Sequence, residues 1–60
     1  MTIIRVNEVP VRYYVATSDG RVIAGDKSSA ARMRPEEAEM VLKHLRIIDP
    51  RWKRAEIVDG

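Results

Sequence analysis

Two prolines, Pro35 and Pro50, bracket a stretch whose apolar residues recur with the period of a helix. Ala38, Val41, Leu42 and Leu45 stand at i, i+3, i+4 and i+7, which places them on one stripe. Pro35 suits a first helical turn, where the missing N–H costs nothing. Glu36, Glu37 and Glu39 complement the positive N-terminal pole, and Lys43, His44 and Arg46 supply cations and donors toward the negative one. Asp49-Pro50 stops the run. A helix with one apolar stripe must bury it against another element, and the rest of the chain offers only short β-like segments.

Thr2 to Val6 is rich in β-branched residues and reads as a strand. The turn-forming segment Asn7-Glu8-Val9-Pro10 ends it, because proline cannot donate to a ladder. Val11 to Ala16 alternates, with Val11, Tyr13 and Val15 on one face and Arg12, Tyr14 and Ala16 on the other. Asp19-Gly20 then separates it from Arg21 to Ala24, a strong hairpin signal because glycine takes positive φ freely. Gly25-Asp26 ends the returning strand, a polar stretch to Met33 crosses to the helix, and Ala55 to Val58 forms a last strand. The expected architecture is α+β, a small antiparallel sheet of three to four strands with the helix packed on one face. The expected core is Ile4, Val6, Tyr13, Val15, Val22, Ala38, Val41, Leu42, Leu45 and Ile57.

Sixty residues form one domain with a marginal core, since such a chain buries only about 60% of its unfolded surface. The absence of cysteine removes disulfides and thiolate metal sites as staples, leaving tight packing or self-association. It also fits a reducing compartment. No apolar run approaches the roughly 20 residues of a membrane span. Nor does the N-terminus show the charged-then-apolar pattern of a signal peptide, so a cytoplasmic location is expected.

Catalysis is not expected. His44 is the only histidine, Ser28 and Ser29 lie in no nucleophile motif, and the carboxylates show no metal-ligand spacing. Asp19 and Asp26 have the positions of turn aspartates, and Gly20 and Gly25 form no phosphate-cradling pattern. No cofactor is implied.

Binding surfaces are better supported. Met40, His44 and Ile47 fall about 180–240° around the helix from Ala38 at ~100° per residue, where a half-buried helix should be polar. Either this stripe is a patch to be covered, by a protein partner or by a second copy in a homodimer, or the helix ends early and Ile47 with Ile48 turns back into the core. On the sheet, adjacent Tyr13 and Tyr14 point to opposite faces, so one ring should lie outside. Tyr14 with Arg12 and Arg21 would there form a Tyr/Arg surface of the kind found at interfaces. The basic run Arg51-Trp52-Lys53-Arg54 has two readings. Three cations around an indole can hold phosphates and stack a base, or Trp52 can seal the core while its neighbours are solvated. The net charge is only +2, although residues 1–34 hold six Lys/Arg against three Asp/Glu.

The layout of Tyr14-Val15-Ala16-Thr17-Ser18-Asp19-Gly20-Arg21-Val22-Ile23-Ala24-Gly25, then Pro35-Glu36-Glu37-Ala38-Glu39, then Ala55-Glu56-Ile57-Val58, resembles small orphan proteins of phages and prophages, a population that includes the anti-CRISPR proteins. That resemblance implies a compact inhibitor that docks on a host nucleic-acid-handling complex, such as a Cas effector. A small nucleic-acid-binding protein is the alternative.

Overall fold

A computed structural model describes all 60 residues. Four strands, β1 (Thr2–Val6), β2 (Arg12–Ser18), β3 (Arg21–Gly25) and β4 (Ala55–Asp59), form one antiparallel sheet in the order β3-β2-β1-β4. The single α-helix, α1 (Pro35–Ile48), packs on one face. Two short 3₁₀ turns, Lys27–Ser29 and Pro50–Arg54, lead into and out of it. The small α+β architecture expected from the sequence is therefore present, with four strands.

Local chemistry accounts for the element ends. Asp19 and Gly20 both have positive φ, 52° and 73°, and sit between the paired residues Ser18 and Arg21. This is a two-residue type I′ turn, whose twist matches that of the flanking strands. At the start of α1, Pro35 occupies the first turn and Glu36 and Glu37 follow it. Asp49 closes one element and opens the next. Its N–H donates to the Leu45 carbonyl at 2.8 Å, ending α1, while its carboxylate accepts the Arg51 N–H at 3.0 Å, capping the 3₁₀ turn Pro50–Arg54.

β1 is the structural centre. It pairs with β4 along its whole length, from Thr2↔Asp59 to Val6↔Ala55. Its pairing with β2 is confined to Arg5↔Tyr13 and Val6↔Arg12. Where β2 diverges, the crossover segment fills in. Thr2 and Met33 exchange backbone hydrogen bonds at 2.7 and 2.8 Å, and the Ala31 N–H donates to the Tyr14 carbonyl at 2.9 Å. The Thr2 hydroxyl donates to the same Met33 carbonyl at 2.8 Å.

The continuous core comprises Ile4, Val6, Met33, Ala38, Leu42, Leu45, Trp52 and Ala55. Val22, Val41 and Ile57 pack against it half-buried. Expectation and structure differ at Tyr13 and Val15. It is Tyr14 that packs on the core, with Val22 and Ala24 of β3, while Tyr13 pairs with Arg5 on the outer face. The β2–β3 ladder shifts register between Tyr14 and Ala16, leaving Val15 without a partner. A bulge of this kind resets the alternation, so Tyr14 and Thr17 share a face and their hydroxyls lie 3.0 Å apart. Met33 and Ile3 are buried beyond expectation. Met33 belongs to a crossover that becomes a bridge partner of β1, and Ile3 lies opposite Val58 on the outer face.

Candidate functional site

Two regions bring candidate binding side chains together, although Met1, Val9, Val11 and Ile23 are exposed elsewhere on the surface. The first is the outer face of α1 and the cleft beside it. Ala38, Leu42 and Leu45 commit one stripe of the helix to the sheet, which turns Met40, His44 and Ile47 outward. Met40 is 75% exposed and Ile47 is 76% exposed, and His44 between them is exposed too. Met40 and His44 also line a cleft of about 330 Å³ between the helix and β2, completed by Val41, Leu45, Tyr14 and Thr17. Four of those six residues are hydrophobic.

The second region lies past the C-terminal end of α1, where Arg51 lines three adjoining hollows. One of about 550 Å³ includes Glu8, Lys53 and Arg54. Another of about 310 Å³ includes Arg21 and Asp49. The smallest, about 70 Å³, includes Glu8, Arg12 and Trp52. Arg51 bonds to Asp49 through both its N–H and its guanidinium, the latter at 3.3 Å. The backbone N–H and then the guanidinium hold the Asp49 carboxyl below the ordinary carboxylate range.

These groupings differ from those the sequence suggested. Arg12 and Tyr14 do not lie on the outer sheet face. The shift at Val15 places Tyr14 against the core, and Arg12 shares a hollow with Val22, Ala24 and Trp52 of the core side. Tyr14 thereby joins Met40 and His44, whereas Arg12 and Arg21 join the cations of the Pro50–Arg54 turn. The outer-face tyrosine is Tyr13, beside Arg5, whose guanidinium pairs with Glu56 across the β1–β4 ladder.

Trp52 is buried and offers no open face on which a base could stack. The residue is 4% exposed, and its ring stands nearly perpendicular to that of Tyr14, at a centroid distance of 6.1 Å and an interplanar angle of 88°. Arg46 fixes the turn that delivers it, donating to the carbonyls of Trp52 at 3.4 Å and Ala55 at 3.1 Å. The indole serves the core while Arg51, Lys53 and Arg54 face solvent. A one-turn 3₁₀ segment allows this, because side chains on neighbouring positions point in different directions.

No family model matches the chain, and no curated protein or solved structure is significantly similar to it. No helix is long and apolar enough to cross a membrane, and no three His, Asp or Glu side chains come together in a group that could hold a metal ion.

Proposed function

We propose that this chain is a non-enzymatic binding protein that docks on another protein through the outer face of α1. The exposure of Met40 and Ile47 on a helix whose opposite stripe already serves the core carries this reading. Apolar side chains so placed contribute little to the isolated fold and gain by being covered, at about 25 cal/mol per Å² before the costs of association. The adjoining cleft of Tyr14, Met40 and His44 has the size to receive one large apolar side chain of the partner.

The resemblance of the sequence layout to small phage proteins suggests the partner class, a host nucleic-acid-handling complex such as a Cas effector, which the chain would inhibit by occupying its surface. The test is to express the chain in a bacterium with active CRISPR–Cas immunity and challenge with a targeted phage. Phage escape is expected, and Met40→Glu should restore immunity while circular dichroism shows an unchanged fold. Intact immunity in the presence of folded wild-type chain would exclude inhibition of that effector type. Escape that persists with folded Met40→Glu would exclude the helix face. Sizing of the two proteins completes the test, since a dimer lost on Met40→Glu would assign the face to a second copy instead.

A further inference from the structure

We infer that the end of the molecule centred on Arg51 is a binding site for the phosphodiester backbone of double-stranded nucleic acid. The inference stands apart from the helix-face docking. Five cations from three distant parts of the chain, Arg12, Arg21, Arg51, Lys53 and Arg54, converge on the hollows that Arg51 joins. Two carboxylates, Glu8 and Asp49, line the same hollows. The region thus carries a net charge of about +3, against +2 for the whole chain, so the remainder of the protein is slightly acidic. A modest overall charge conceals a one-sided distribution, and the distribution sets the local potential that a polyanion meets.

The cations are also free to act. Of the five, only Arg51 lies within 4.0 Å of a carboxylate, its partner being Asp49. Arg51 itself keeps a side chain 75% exposed. The other four are exposed and unpaired. Glu8 tempers the field without neutralising it.

The aromatic rings decide between duplex and single strand. Single-strand sites stack bases on exposed rings. Here Trp52, the aromatic ring lining these hollows, is buried, and its neighbour Tyr14 packs perpendicular to it with its hydroxyl near Thr17. What remains is a set of guanidinium and ammonium groups without a stacking platform. Such a surface responds first to charge density, which is higher on a duplex.

Fluorescence anisotropy with a labelled 20-base-pair DNA duplex, the same-length single strand and polyglutamate tests this. The duplex should bind more tightly than the single strand, with little dependence on sequence. The logarithm of its association constant should fall against the logarithm of salt concentration with a slope of about −3 to −4, the signature of roughly four phosphates neutralised. Arg51→Gln with Arg54→Gln should weaken duplex binding at least tenfold at low salt and reduce the slope by about 2. The equal-charge control Arg32→Gln with Lys43→Gln, outside the cluster, should weaken it by less than twofold or so. Met40→Glu disrupts only the helix face and should change duplex binding far less than the Arg51 and Arg54 pair, so the two readings fail separately. Equal losses in the cluster and control variants would overturn the site. So would tighter binding to the single strand, equal binding to polyglutamate, or no duplex binding at low salt.

Discussion

The two halves of the sheet are built unequally. β1 and β4 are laddered over five residue pairs, and β1 alone buries Thr2, Ile4 and Val6 on the helix side and Ile3 on the outer face. The β2–β3 hairpin contributes no fully buried residue, touches β1 through two pairs and shifts register in its middle. Burial holds the first half together, with α1 and the Trp52 turn closing over it. A five-pair ladder of its own, interrupted at Val15, a tight turn and half-buried contacts hold the second. The exposed candidate binding residues Arg12 and Arg21 come from the second half, which can present side chains outward because it is not committed to the interior, while Tyr14 of the same hairpin packs on the core. Regions with few buried apolar contacts open most readily, so the hairpin is the part of the sheet with the lower local stability.

Substitution on the two sides of this divide gives the largest contrast. Leu45→Ala should cost about 2–5 kcal/mol and Trp52→Ala about 3–5 kcal/mol, a range that approaches the whole stability of so small a chain. Val22→Ala in the hairpin, at a half-buried position, should cost about 1 kcal/mol or less. Chemical denaturation followed by circular dichroism measures all three. A Val22→Ala loss as large as that of Leu45→Ala would erase the distinction between the halves.

A smaller effect should come from the turn. No atom crowds a β-carbon at Gly20, so Gly20→Ala isolates the backbone penalty of φ 73°. The expected loss is more than about 1 kcal/mol. Hydrogen exchange sharpens the comparison, since β2–β3 amides should lose protection by local opening while β1–β4 amides respond only to the global change. Uniform loss across all four strands would show that the hairpin opens only with the whole molecule.

Acid should have the smallest effect. The Arg5 guanidinium, first by hydrogen bond and then by charge, holds the Glu56 carboxyl below its ordinary range, and Asp49 is lowered by the Arg51 N–H. A depressed folded-state pKa stabilises above the unfolded value, near 4.5 for Glu56 and 3.8 for Asp49. That contribution disappears as pH falls through the folded value. Both carboxyls are at the surface, where such pairs contribute little. Glu56→Gln should therefore flatten the acid limb of the stability profile slightly and leave neutral stability almost unchanged. A large loss at neutral pH would mean that the Arg5 pair supports the β1–β4 half more than its exposure suggests.

Much of the fold was legible without coordinates because its signals are local. The prolines at 35 and 50, the Asp19-Gly20 turn and the 3.6-residue period of Ala38, Leu42 and Leu45 act within a few residues of themselves. Element positions and the buried helix stripe follow from them, as does the outward direction of Met40, His44 and Ile47. Which tyrosine faces the core was not a local matter. Alternation alone assigned Tyr13 to it, but the register shift at Val15 depends on how β2 meets β3, and this put Tyr14 there. Met33 read as part of a polar crossover, since its burial depends on a bridge to Thr2, thirty-one residues away. Trp52 had two chemically sound readings until α1 and Tyr14 closed around it. The tertiary structure also decided the composition of the surfaces. Arg12, Arg21 and Arg51 are far apart along the chain, and no spacing rule joins them. They meet because the hairpin and the Pro50–Arg54 turn are brought to the same end of the helix, where their charge can stay in water while the apolar faces of those elements are buried.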